Sequence, residues 1–182
     1  MNEKTNITGN KSRQWIVESL LSLMREKPYG EISVTEITGR AQLDRRTFYR
    51  HFNSKDEVLT LYMDIMFDEY QRDIAREEQL SLYVVFRTFF RFIKRHAAAV
   101  RLLQESNLSL HLLEKFNAVI IGLHNANKHR YEKREDLPNY EYALYFNSGG
   151  AWNITMKWVA DGARETPEEM ARLVEGLYLR MV

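Results

Sequence analysis

The sequence predicts an all-α protein in which a small N-terminal helical unit precedes a larger helical one, and three observations carry that expectation. Apolar residues recur at helical spacing along most of the chain, with little of the two-residue alternation of a half-buried strand. Only three prolines interrupt the pattern, at positions 28, 138 and 167. Three segments of the form Ser/Thr-x-x-Glu mark helix starts: Ser33 with Glu36, Ser54 with Glu57, and Thr166 with Glu169.

In chain order, residues 1–10 read as a flexible tail. The first helix runs from about Ser12 to Lys27, with Ile16, Leu20, Leu23 and Met24 on one face, and Pro28, Tyr29 and Gly30 end it. A short helix over 34–41, a tight turn at Gln42 and Leu43, and a second short helix capped by Asp44 and ending near His51 make a helix-turn-helix pattern. Ser54 opens a long helix to about Glu77, carrying Val58, Leu61, Tyr62, Ile65 and Met66 on one side. Further helices are expected at about 80–95, 97–105, 107–130, 138–161 and 167–181, the last with Pro167 at its first position. The polar loop YEKREDLPNY is the one long break. The expected organisation is thus a tail over 1–10, a helix-turn-helix domain over 11–53 and a helical domain over 54–182.

Composition removes several function classes. There are 182 residues, 45% of them apolar, enough for a core. Without cysteine there is no disulfide framework, thiolate metal site or cysteine nucleophile, which fits a reducing cytoplasm. The longest apolar run, Leu82 to Phe86, is far short of the roughly 20 residues that cross a bilayer, so no membrane partner is expected. The N-terminus has no apolar segment of the kind a secretory signal needs. No Gly-rich phosphate loop, nucleophile elbow or His-Glu metal helix occurs, so neither enzyme activity nor a cofactor is expected. His124 and His129 are five residues apart, off the spacing that sets two ligands on one helical face, and with His111 they suggest no metal.

Charge is the informative quantity. The net formal charge is +1, yet Arg40, Arg45, Arg46, Arg50 and Lys55 face only Asp44 between Gly39 and Lys55, a local +4 that leaves −3 in the rest. In a helix from Asp44 to His51, Leu43, Thr47 or Phe48, and Phe52 can point inward while Arg45, Arg46, Tyr49 and Arg50 point outward. An arginine fork can donate two hydrogen bonds to one guanine edge, worth about 1–3 kcal/mol of discrimination, and first-turn positions are where recognition helices present such groups. Tyr49, His51 and Lys55 carry donors suited to phosphate oxygens. A basic amphipathic helix is otherwise just a solvated face; the flanking capping boxes and short helices favour the DNA reading here.

Residues 33–62, SVTEITGRAQLDRRTFYRHFNSKDEVLTLY, resemble the DNA-binding region of the TetR family of bacterial transcriptional regulators. The matching positions are Ile37, Ala41, Leu43, Asp44, Thr47, Phe48, Tyr49, His51, Phe52, Lys55 and, approximately, Val58. The resemblance implies that Ser33, Tyr49 and Lys55 touch backbone phosphates and that Thr35, Arg45, Arg46 and Thr47 reach bases. Gln42 departs from the family's turn glycine, and must adopt a left-handed conformation or reshape the turn.

The resemblance further implies a C-terminal effector pocket and a dimer built on the last two long helices. Gly149 and Gly150 interrupt a predicted helix, at roughly 1 kcal/mol each relative to alanine. Together with neighbouring small side chains they form a stripe that admits a partner helix. The expected interface is Ala143, Asn147, Gly150, Ala151, Ile154 and Trp158. Phe89, Phe92, Phe116, Trp152 and Met156 are the candidate effector pocket; the same spacing describes an ordinary core.

The expected function is that of a homodimeric repressor on a palindromic double-stranded DNA operator, released by a small-molecule effector. The alternative is an adaptor or co-activator of the same fold acting through protein contacts.

Overall fold

The computed structural model describes residues 3–127 and 140–181, and these form nine α-helices and one 3-10 turn, with no strand among them. The helices are α1 (Glu3–Met24), α2 (Val34–Arg40), α3 (Arg45–His51), α4 (Lys55–Arg76), α5 (Leu82–Arg95), α6 (Ala97–Glu105), α7 (Ser109–Asn127), α8 (Tyr140–Ala160) and α9 (Pro167–Met181), with the 3-10 turn at Tyr29–Glu31. All the expected helices are present. The loop expected at 131–140 lies, through residue 139, outside the described residues, as do residues 1–2 of the expected tail.

The chain divides into two compact units, Met1–Ile65 and Met66–Val182, so the division falls inside α4 instead of at its start. The burial pattern of α4 explains this. Val58, Leu59 and Met63 are buried in its first half, and Met66, Phe67, Tyr70 and Ile74 in its second. One helix thereby supplies apolar residues to both units.

In the first unit α1 packs on α2 and α3, and α2 on α3. The expected stripe of Ile16, Leu20, Leu23 and Met24 is buried with Ile37, Phe48 and Phe52. Helix α1 starts at Glu3 instead of near Ser12, so most of the expected tail continues the helix. Adding residues to a helix already nucleated by its buried half closes one hydrogen bond per residue without a new nucleus.

Local chemistry sets the boundaries. The Ser33 and Thr166 capping boxes are complete, each with the hydroxyl accepting from the third amide and the glutamate reaching back to the cap amide. The Ser54 box is half made. Ser54 Oγ accepts from Glu57 N at 3.3 Å, but the Glu57 carboxylate takes both the backbone and side-chain amides of Asn53 at 2.7 Å. Ser81 caps α5 through the Val84 amide, a start that carries no box motif.

In the second unit α5 packs chiefly on α9, while α8 packs on α6 and α7. Its centre is aromatic: Phe89 lies 5.0 Å from Phe116, Tyr70 5.4 Å from Phe92, Phe90 5.4 Å from Trp158 and Phe116 6.0 Å from Trp152, between ring centroids. Tilted and edge-on arrangements of this kind add about 0.5–1.5 kcal/mol per pair beyond the area buried.

Candidate nucleic-acid interface

Helices α2 and α3 are joined by residues 41–44, and the turn is closed by backbone bonds from Leu43 N to Thr38 O at 2.9 Å and from Gln42 N to Gly39 O at 3.2 Å. Gln42 takes the left-handed conformation, with φ of 54°. It occupies the place where a helix terminating this way ordinarily has glycine, at a cost of about 1 kcal/mol.

Helix α3 begins with Asp44, whose Oδ1 accepts from the Thr47 amide at 2.5 Å. That bond holds the Asp44 carboxyl below its usual range. Phe48 is the buried anchor, and Phe52 follows it into the core. With these two inward, Arg45, Arg46, Tyr49 and Arg50 are exposed and Thr47 is half-buried. Among the described residues no carboxylate forms an ion pair with Arg45, Arg46 or Arg50. The Arg45 guanidinium lies 5.8 Å over the Tyr49 ring and points Nη2 at its hydroxyl, 3.5 Å away. Tyr49 in turn meets Phe48 edge-on at 5.4 Å. The two are therefore preorganised as a pair, whereas Arg46 and Arg50, close enough to Asp44 to help lower its carboxyl, form no ion pair with it.

Not every cation of the basic stretch belongs to this face. Arg40 is held by Glu26 in a two-nitrogen ion pair and also donates to Ser22 Oγ at 2.8 Å, so α2 is tied back to α1.

The three residues expected on phosphates differ in how they are engaged. Tyr49 is half exposed. Ser33 directs its amide and hydroxyl to Glu36 Oε2, at 2.9 and 2.8 Å. Glu36 is bonded to Lys27 and to Ser33, which together bring its carboxyl down to about 2. Lys55 donates to the carbonyls of Tyr29, Gly30 and Ile32 at 2.6, 3.2 and 2.8 Å, and lies 4.5 Å over the Tyr29 ring. The Tyr29 hydroxyl donates to Asp56 Oδ1 at 2.5 Å; burial, then this bond, raises its pKa.

His51 is half-buried beside Phe52, and its Nε2 is buried with no hydrogen-bond partner. Burial and the charges of Arg50 and Arg13 hold its pKa below the usual imidazole range, so the neutral ring is favoured. Thr35 is exposed near the start of α2.

The candidate residues outside this unit are placed as follows. Phe89, Phe92, Phe116 and Trp152 come together in the aromatic core, and Met156 is half-buried. Of the expected interface, Ala151 and Trp158 are buried inside the second unit, at 5% and 3% exposure. Gly150 is exposed, and Ala143, Asn147 and Ile154 are half-buried. The outward face of α8 carries Tyr142, Tyr145 and Phe146, residues the sequence reading did not select. Gly149 and Gly150 have nothing among the described residues within 4 Å of where a Cβ would stand, so no packing there requires them.

An all-helical fold with a capped helix-turn-helix and an unneutralised arginine face defines a DNA-binding regulator. The chain matches the family model described as bacterial regulatory proteins, tetR family, over residues 16–61, and that of a transcriptional regulator C-terminal region over 81–179. It belongs to the TetR family of bacterial transcriptional regulators, whose members are DNA-binding transcription factors and not enzymes. Solved structures share the fold. A TetR regulator from Streptococcus agalactiae 2603V is 16% identical with TM-score 0.68, covering 97% of this chain and 98% of that one. The fatty acid degradation regulator FadR from Bacillus halodurans is 17% identical with TM-score 0.64, covering 91% and 93%. The dihydroxyacetone kinase operon activator DhaS is 17% identical with TM-score 0.63, covering 94% and 96%. A search of the curated proteins returned no match. No helix among the described residues is long and apolar enough to cross a membrane.

Proposed function

We propose that the protein is a homodimeric repressor that places α3 of each subunit in successive major grooves, about 34–36 Å apart, of a palindromic operator. The observation that carries this reading is the exposed face of α3. Three arginines stand there without an ion pair among the described residues, on a helix fixed by the Asp44 cap and the buried Phe48. Arg46, together with Arg45, Thr47 and Thr35, reads bases; Tyr49, Arg50, Ser33 and His51 set register on phosphates. Binding through Ser33 requires its hydroxyl to turn from Glu36, and binding through His51 Nε2 requires that buried nitrogen to turn outward.

The dimer uses the outward face of α8. Tyr142, Tyr145 and Phe146 are 75, 48 and 70% exposed and share a face with Gly149 and Asn153, at spacings of three and four residues. A contiguous exposed aromatic face is the usual mark of a protein interface, and the open glycines allow a second helix to approach closely. Ala143, Asn147, Gly150 and Ile154 border it, and Ala151 and Trp158 support it from the core.

An effector binds within the second unit and, by moving the second half of α4, changes the spacing of the two recognition helices. Among the described residues Arg87 Nε, Asn117 Oδ1 and Trp158 Nε1 are buried in that unit without a hydrogen-bond partner, and they support a ligand carrying polar groups. A cytoplasmic location accords with this role. An activating role is the second reading, motivated by the fold shared with the operon activator DhaS; an adaptor working through protein contacts is the reading left if DNA is not bound.

Selection of the purified protein against a random DNA library, with binding repeated at two salt concentrations, tests the proposal. An enriched palindrome is expected. No enrichment, or retention without sequence preference, overturns the operator reading in favour of the adaptor.

A further inference from the structure

Arg13 stands far outside the basic stretch of residues 39–55, yet α1 carries it to the end of α3. It is exposed, and its guanidinium lies 5.7 Å from the centroid of the Phe52 ring, the residue that ends α3. His51 meets the same ring edge-on, with centroids 6.5 Å apart. Phe52 is itself fixed, being 4% exposed and packed on Phe48 at 5.8 Å. A buried ring therefore sets the direction in which Arg13 leaves α1, towards the last turn of α3.

That last turn also carries Arg50 and His51. Arg13 and Arg50 both act on the His51 ring and, after burial, are what holds its pKa down. Two guanidinium groups bearing on one imidazole form a like-charge arrangement, and the negative end of the α3 dipole offsets part of it. Carboxylates do not offset it by pairing. Among the described residues neither Arg13 nor Arg50 forms an ion pair, and no acidic residue stands three or four places from Arg13 along α1. The acids flanking α3 are engaged by amides, Asp44 with that of Thr47 and Glu57 with both of Asn53. An arginine steadied by a ring and left without an ion pair matches a phosphate group, which accepts two parallel N–H bonds from the guanidinium fork.

We propose that α1 supplies a DNA-backbone contact through Arg13, whose guanidinium binds an operator phosphate beside the C-terminal end of α3, next to Arg50. The inference rests on the DNA-binding reading above, and it widens the DNA face from the helix-turn-helix to the helix that supports it. Arg13 grips the backbone and reads no base.

The test uses the full-length protein and the operator recovered by library selection. Each phosphate neutralised adds about 0.9 to the slope of log K against log salt. Arg13 is exposed, so Arg13→Met is expected to stay folded by circular dichroism. It should weaken binding to every single-base operator variant alike and make the slope smaller by about 0.9. An unchanged slope overturns the proposal whatever the affinity, because it leaves Arg13 only packing on Phe52 and complementing the end of α3. Arg13→Lys keeps the charge and is expected to keep the wild-type slope; a slope as low as that of Arg13→Met counts against the phosphate contact. Operators carrying a single neutral methylphosphonate locate the contact. One position that weakens the wild type should leave Arg13→Met unaffected, and the absence of any such position overturns the proposal. If the wild-type protein selects no operator, the operator reading fails by itself, and the slope on a random-sequence duplex decides for Arg13: a smaller slope in Arg13→Met upholds the contact and equal slopes remove it. A protein that binds no duplex at all removes both readings.

Discussion

The two units handle their charges in opposite ways. In the second, four cations are matched with carboxylates: Arg87 with Glu77, Arg91 with Glu168, Arg95 with Glu69 and Asp73, and Lys157 with Asp161. Among its described residues the exposed rings stand on α8. In the first, Arg40 and Lys27 are matched with Glu26 and Glu36, while α3 keeps three arginines that form no ion pair among the described residues. The difference teaches how to read a surface. Exposed pairs contribute little stability, so the residues left unpaired say more about partners than the pairs do. Unpaired cations suit a polyanion, and uncovered rings suit another protein surface.

The contrast requires the second unit's interior to be a core, which gives the largest expected effect. Phe89 is 2% exposed and within ring contact of Tyr70, Phe90, Phe92 and Phe116. Phe89→Ala should cost about 3–5 kcal/mol in urea denaturation. A loss well below 1 kcal/mol would mean the ring already borders an open cavity, and would favour the pocket reading of these aromatics. Next in size is Phe146→Asp, which places a charge on the uncovered face of α8. It should raise the dimer dissociation constant by at least about 30-fold, the size of a hot-spot loss, in sedimentation experiments, while the monomer stays folded. An intact dimer at micromolar concentration would move the interface elsewhere.

How much of this the sequence disclosed follows from distance along the chain. The Ser33 and Thr166 boxes were legible because cap and glutamate lie three residues apart and their geometry is local. The Ser54 box was half legible, because Asn53 offers Glu57 two amides where Ser54 offers one. Arg40 counts toward the local positive charge in the sequence, but its partner Glu26 lies 14 residues back on another helix. Lys55 and Tyr29 are 26 residues apart, and nothing local connects them. On α8 the helical spacing was visible but its orientation was not. Large apolar side chains occur on inward and outward faces alike, so the pattern could not tell Trp158, buried, from Phe146, exposed.

The third test separates reading from positioning within the first unit. Arg46→Ala should reduce discrimination at one operator base pair by about 1–3 kcal/mol, measured across single-base operator variants, and leave the remaining positions unchanged. Uniform loss at every position would assign Arg46 to the phosphates instead. A smaller effect concerns the turn behind it. Gln42 holds φ at 54° and is exposed, so Gln42→Gly should relieve about 1 kcal/mol of strain, partly offset by the greater freedom of glycine in the unfolded chain. A raised melting temperature with unchanged operator affinity is expected; a lowered one would mean that the side chain of Gln42 is itself engaged.

The smallest effect is also the most specific in its pH dependence. Glu36 has its carboxyl lowered from 4.5 to about 2, first by Lys27 and then by Ser33. A carboxyl whose folded pKa lies below its unfolded one stabilises the fold above the unfolded value and loses that contribution as pH falls through the folded value. The Glu36→Gln variant preserves the reach needed for the capping box and removes only the charge. Wild type should therefore exceed the variant in urea midpoint at neutral pH, by a margin that narrows below pH 4.5 and closes near pH 2. A margin independent of pH would mean that the cap alone, and not the ion pair with Lys27, holds the entry to α2.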